Sequence, residues 1–230
     1  MKFGIVTFPG SNCDYDAYRA VVDQLGAQAA YLWHKADDLD GVDVVILPGG
    51  FSYGDYLRAG AIARFSPIMR QVGEHARRGG PVLAICNGFQ IACEAGLLPG
   101  ALVRNAGMRF VSDVVHLRVE SQSTMFTSEY AVGSVLRIPI AHGEGRYVAD
   151  SSTLARLEDD GHIAFRYCDA SGAITDDSNP NGSMRGIAGI LNDEGNVLGM
   201  MPHPERAVDP ILGQPDGLLL FESLLARMAV

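Results

Sequence analysis

The chain has no cluster of positive charge. Its 18 lysines and arginines face 27 aspartates and glutamates, giving a formal net charge of −9 over 230 residues. The nearest approach to a basic block is Arg77-Arg78. Phosphate binding on a general nucleic-acid surface needs clustered lysine and arginine, so that class is excluded. No run approaches 18 consecutive apolar residues, so no membrane-crossing helix is expected. The N-terminus enters a strand-like run at once, Lys2-Phe-Gly-Ile-Val6, without the apolar core and cleavage site of a secretory leader. Cysteine is scarce: Cys13, Cys86, Cys93 and Cys168 are the only four, and none is paired as Cys-x-x-Cys. Neither a disulfide framework nor a zinc site is expected, and a reducing cytoplasm fits best.

What is present is the composition of an ordinary globular protein, 47% hydrophobic and 20% charged, with ample material for a core. The first half alternates strand and helix patterns. Strands are expected at Lys2 to Phe8, Ala29 to Leu32, Val42 to Leu47 and Val82 to Ile85, and helices at Asp14 to Leu25, Ile62 to Arg78 and Asn87 to Ala95. The unbroken apolar runs at Val42 to Leu47 and Val82 to Ile85 are those of strands buried on both faces of a parallel sheet. Past Gly100 the pattern changes to strands at Val114 to Val119, Val135 to Ile140, Ile163 to Tyr167, Ile187 to Leu191 and Val197 to Met200. Asp193-Glu-Gly-Asn196 between the last two predicts a hairpin. Asp176 to Arg185 reads as a loop, and Leu218 to Met228 as a closing amphipathic helix. With no repeat or linker, the expectation is one α/β domain over 1–230. It has a largely parallel open sheet with helices on both faces and additional antiparallel strands in the second half.

The most informative segment is Pro81-Val-Leu-Ala-Ile-Cys86-Asn-Gly-Phe-Gln90. A buried strand runs straight into a helix with a nucleophile at the junction, and small residues (Ala84 and Gly88) stand two positions before and after it. This is the pattern of a strained strand-turn-helix elbow, with cysteine in place of serine. The small flanks let neighbouring backbones approach, and the helix N-terminus favours the thiolate. The N–H of Asn87 is the natural oxyanion donor. A buried core cysteine is the plain alternative for Cys86, and it is the better reading for Cys93.

Pro48-Gly49-Gly50 ends a strand where ligands bind in open sheets, and Gly50 is the candidate second donor. Phe51-Ser-Tyr-Gly-Asp-Tyr56 could shape a pocket, but spacing assigns these residues no roles. A thiol nucleophile calls for a histidine base oriented by a third group. His34, His75, His116 and His162 have no informative neighbours. His142, in a glycine-rich turn after a strand, is a genuine rival. His203 has the better case: Pro204 pushes it to extended angles, so His203 and Glu205 can face one cleft. Those two residues alone supply too few ligands for a metal, so none is expected.

Together, Leu47-Pro-Gly-Gly-Phe-Ser-Tyr-Gly-Asp-Tyr-Leu-Arg58, Ile85-Cys-Asn-Gly-Phe-Gln90, Ala141-His-Gly-Glu-Gly-Arg146, Met201-Pro-His-Pro-Glu-Arg206 and Phe8-Pro-Gly-Ser-Asn-Cys-Asp14 resemble class I, triad-type glutamine amidotransferases. The likeness runs from the first strand to the closing helix. Ala84 departs from the glycine of many relatives but remains small. The resemblance implies a Cys86–His203–Glu205 triad, with glutamine and its oxyanion held around Gly49, Gly50, Phe51, Asn87, Gln90, His142 and Gly143. It also implies delivery of ammonia to a large PurL-like synthetase subunit that binds ATP and Mg, with a small PurS-like third subunit, in purine synthesis. The short chain opening at Met1 resembles a stand-alone subunit more than one end of a fused enzyme. Two alternatives keep the elbow: a subunit serving another synthetase, and a free-standing cysteine hydrolase. A non-catalytic regulator would lack at least one triad residue.

Overall fold

The computed structural model describes residues 1–211, 213 and 215–228. In chain order the elements are β1 (Lys2–Thr7), α1 (Asp14–Arg19), β2 (Gln28–Trp33), β3 (Val44–Leu47), α2 (Pro67–Arg77), β4 (Val82–Ile85), α3 (Asn87–Glu94) and β5 (Ala101–Val103). They continue with β6 (Val111–Val119), β7 (Val135–His142), β8 (Arg146–Val148), α4 (Ser151–Asp159), β9 (Ile163–Cys168), β10 (Ile187–Leu191), β11 (Val197–Met200) and α5 (Leu218–Met228).

Nine strands form one sheet in the order β2-β1-β3-β4-β11-β10-β9-β6-β7, and β5 pairs with β8 in a separate two-stranded sheet. From β2 to β11 every pairing is parallel, and from β11 to β7 every pairing is antiparallel. The expected antiparallel strands therefore extend the same sheet. Every residue of β3, β4 and β11 is buried, so both faces of the sheet centre are covered, as their apolar runs require. In that centre β4 lies between β3 and β11, with Leu47 opposite Ala84 and Met200 opposite Ile85. The carboxyl ends of three strands thus open side by side, where open α/β sheets carry their sites.

Several local expectations change in the fold. The helix expected over Ile62 to Arg78 is split into a 3-10 turn, Ala63–Phe65, and α2 from Pro67. Ser66 is extended at ψ 140, because the proline ring disfavours helical angles in the residue before it. The helix from Asp14 ends as α-helix at Arg19 and continues as a π-helical turn over Ala20–Gln24. Helix α4 was not expected. The Asp150 carboxylate caps it by accepting from Thr153 N at 2.9 Å, and only Leu154 and Leu157 are buried, too little for a clear apolar stripe. The expected hairpin is present: Gly195 N donates to Asn192 O, and Asn192 N to Val197 O. Among the described residues, no helix is long and apolar enough to cross a membrane.

Candidate active site

Cys86 sits between β4 and α3 with φ 51 and ψ −106, a sparsely populated conformation for a residue with a side chain. Its N–H donates to Met200 O at 2.8 Å, and its carbonyl accepts from Phe89 N and Gln90 N. These bonds fix the turn from both neighbouring elements. A Cβ at Gly88 would stand 2.0 Å from Leu47 O, and one at Gly199 would stand 2.2 Å from the Phe89 ring. Close approach of α3 to β3 and β11 therefore demands glycine at both places. The sequence-level elbow is realised in this geometry.

Strand order brings the other groups in from both sides. From the end of β11, His203 points inward at 1% exposure. Its backbone N–H donates to Pro139 O at 2.8 Å. His203 Nδ1 and Glu205 Oε1 are 2.7 Å apart, and both side chains are excluded from solvent. The pairing does not come from a continuous extended segment. Pro204–Arg206 form a 3-10 turn that folds Glu205 back onto the ring. His203 Nε2 and Glu205 Oε2 are buried without a hydrogen-bond partner. From the end of β3, Gly49 lies among the reactive side chains: a Cβ there would be 2.7 Å from His203 Cε1, 3.1 Å from Cys13 Sγ and 3.4 Å from Cys86 Cβ. Three side chains from distant segments thus converge on one glycine. Burial opposes a charge on His203, but the Glu205 carboxylate, with the neighbouring sulfurs of Cys86 and Cys13, outweighs it and holds the imidazole well above its ordinary value.

His142 is the weaker base. Its Nδ1 lies 3.2 Å from Asn105 Oδ1 and its Nε2 lies 3.4 Å from Asn181 Nδ2, so both ring nitrogens are engaged. Burial depresses it to about 4, keeping it neutral near pH 7. It serves as a wall of the pocket.

That pocket, about 130 Å3, is lined by Gly50, Phe51, Cys86, Gln90, His142 and Gly143, together with Asp55, Phe110, Ala141 and Glu144. Asn87 faces elsewhere. Its buried side chain accepts from Ser52 N at 3.0 Å and donates to Asp55 Oδ1 at 3.2 Å and Gln90 Oε1 at 2.8 Å. It ties the Ser52–Asp55 turn to α3. As the first residue of α3 it keeps a backbone N–H that no helical turn can satisfy. Gln90 Nε2 donates to Glu144 O at 2.7 Å, joining α3 to the turn after β7. Asp55 is pushed up to about 6 by burial and by the nearby Glu144. Size does not select this site. Larger clefts, about 480 Å3 beside Arg64 and Glu94 and about 470 Å3 beside His162 and Arg227, contain no cysteine.

Phe110 and Cys13, like Asp55, carried no assignment in the sequence. Phe110, half exposed beside the pocket, lies in a stretch without motif. Cys13 is buried against the imidazole, with Arg206 Nη2 at 3.1 Å and Asn12 Oδ1 at 3.3 Å from its sulfur. The opening Pro-Gly-Ser-Asn-Cys segment was its only signal.

A strand-turn-helix thiol beside a buried His–Glu pair, on a half-parallel sheet, is the arrangement of a triad-type cysteine enzyme. The comparisons agree. The family model of the CobB/CobQ-like glutamine amidotransferase domain matches residues 1–215. The chain is 57% identical over 229 residues to the PurQ subunit of phosphoribosylformylglycinamidine synthase from Salinibacter ruber, covering 100% of this chain and 97% of that one. It is 59% identical over 226 residues to the Chlorobaculum tepidum subunit of the same name, covering 98% and 97%. The structure of PurLQS from Thermotoga maritima superposes with a TM-score of 0.87 at 44% identity, over 99% of this chain and 98% of that one. A glutamine amidotransferase from the same organism shares the fold, with a TM-score of 0.61 at 18% identity over 99% and 97%. This chain belongs to the glutamine amidotransferase family and, within it, to the PurQ subunits of phosphoribosylformylglycinamidine synthase.

Proposed function

We propose that this chain is the glutaminase subunit of a phosphoribosylformylglycinamidine synthase, with Cys86 as nucleophile, His203 as acid–base and Glu205 as the orienting carboxylate. The observation that carries the reading is the convergence of Cys86 and His203 on Gly49, with Glu205 2.7 Å behind the ring. The Cys86 thiolate attacks the side-chain amide carbon of glutamine. Backbone N–H groups at Gly50 and Asn87 stabilise the oxyanion, worth about 3 kcal/mol per donor in comparable sites. The protonated imidazole gives its proton to the departing nitrogen, releasing ammonia and leaving a glutamyl thioester. His203 then takes a proton from water, which attacks the thioester and frees glutamate and the thiolate. Glu205 keeps the ring in one tautomer and supports its positive charge. Gly49, Phe51, Gln90, His142 and Gly143 shape the glutamine pocket.

Ammonia reacts only while unprotonated, so release into water at pH 7 wastes it. This favours a docked acceptor and a sheltered route. The likeness to PurLQS supports a large PurL-like synthetase subunit and a small PurS-like subunit as partners. ATP and Mg belong to the synthetase, where formylglycinamide ribonucleotide becomes its amidine. The cytoplasm is the matching compartment. In the assembled synthase, Cys86→Ser abolishes glutamine-dependent synthesis while added ammonia still supports it. Loss of both activities, or labelling of Cys93 or Cys13 in place of Cys86 by a glutamine-like electrophile, would sink the assignment.

A further inference from the structure

Cys13 takes no part in the cycle above, yet the loop after β1 buries it at 3% exposure against the catalytic imidazole. One donor atom from each of Cys13, His203 and Glu205 lies within 4.8 Å of the other two. Thiolate, imidazole and carboxylate together make a donor set that suits zinc. Bond lengths of about 2.0–2.3 Å in four-coordinate zinc place donors about 3.3–3.8 Å apart, so a contraction of about 1 Å closes the set. Glu205 Oε2 is buried without a partner, so the carboxylate has an oxygen free to coordinate.

A second feature supplies an approach that avoids the glutamine pocket. Asp16, Arg19, Gln24, Glu205 and Arg206 line a separate cavity of about 360 Å3, which shares Glu205 with the cluster. Arg206 bridges this cavity and the cluster: its Nε donates to Asp16 Oδ2 at 2.9 Å and its Nη2 to Cys13 Sγ at 3.1 Å. The Arg206 side chain is one-third exposed and held by an exposed carboxylate, so it can swing outward and uncover the sulfur. Its charge, with that of Arg19 in the cavity lining, opposes a cation there.

We propose that Cys13, His203 and Glu205 form an inhibitory site for a zinc-type divalent cation, reached through the Asp16–Arg206 cavity. Binding displaces the Cys13 thiol proton and one proton of the imidazolium, which frees a ring lone pair for the cation. A coordinated ring no longer carries a proton between Cys86 and the leaving nitrogen, so glutaminase activity stops. The inhibition rests on the proposed role of His203, whereas the binding does not.

Cobalt(II), a spectroscopic substitute for zinc, tests the binding on the full chain. A thiolate-to-cobalt charge-transfer band is expected in the wild type and in Cys86→Ser, and is expected to vanish in Cys13→Ser. Arg206→Gln, which removes one opposing charge, is expected to tighten binding about 10-fold or more, and it decides the matter if Cys13→Ser does not fold. In the assembled synthase, zinc inhibits glutamine-dependent turnover, a chelator reverses it, and Cys13→Ser raises the half-inhibiting concentration more than about 10-fold. A band that disappears in Cys86→Ser and survives in Cys13→Ser, or no band in the wild type, overturns the proposal. A Cys13-dependent band without inhibition upholds the site and removes His203 from the catalytic cycle.

Discussion

Replacing Gly49 with alanine separates alignment from folding at this site. The new Cβ would meet His203 Cε1 at 2.7 Å and Cys86 Cβ at 3.4 Å. Carbon atoms in ordinary contact stand about 3.5–4.0 Å apart, so the imidazole must retreat by about 1 Å. Gly49 is not among the positive-φ residues, so alanine adds no backbone strain of its own. Misplacing a reacting group by about 1 Å costs about 100-fold in rate, equivalent to about 2.7 kcal/mol of transition-state stabilisation. Overpacking of this kind costs about 1–3 kcal/mol of stability, a fall in melting temperature of about 2–4 °C per kcal/mol for a chain of this size. The assay is kcat for glutamine-dependent synthesis in the assembled synthase, with ammonia-dependent synthesis as the control for the partner. A folded Gly49→Ala protein with unchanged kcat refutes the convergence on Gly49. One that fails to fold refutes the claim that only the ring and the Cys13 sulfur, at 3.1 Å, have to move.

At Gly88 the obstruction is backbone, Leu47 O at 2.0 Å, which has nowhere to retreat. Gly88→Ala is therefore expected to lose more than about 3 kcal/mol, and a wild-type thermal melt would contradict the elbow packing. Glu205→Gln removes the carboxylate that raises His203. The imidazole titration seen by NMR, and the pH dependence of Cys86 alkylation, should both move to lower pH, and an unmoved titration would disprove the pairing. His142 titrates at about 4 in the fold against about 6.5 unfolded, so between those values the unfolded chain binds more protons. Stability should fall by about 2–3 kcal/mol between pH 7 and pH 4.5 through this residue. Urea unfolding of His142→Gln should show a flatter dependence, and an identical slope would refute the assignment. His203, with a raised value, acts in the opposite sense and at higher pH, where its stabilisation is lost as it deprotonates.

Short windows of sequence determined β4, β10, β11 and α5 to their end residues, because an unbroken apolar run or a helical stripe is a local pattern. The elbow was equally legible, since Ala84, Cys86 and Gly88 are neighbours in the chain and their sizes alone prescribe the turn. Strands β5 and β8 escaped because they are short, and helix α4 because it buries only Leu154 and Leu157. What sets His142 and His203 apart is tertiary structure. Asn105 and Asn181 close on one ring from separate loops, while β11 aligns beside β4 and delivers the other ring to the thiol. Cys13 joins the cluster for the same reason: β1, β3, β4 and β11 end together at one edge of the sheet. Strand neighbourhood is a non-local property, decided by which buried faces pair across the whole core, and no single segment encodes it.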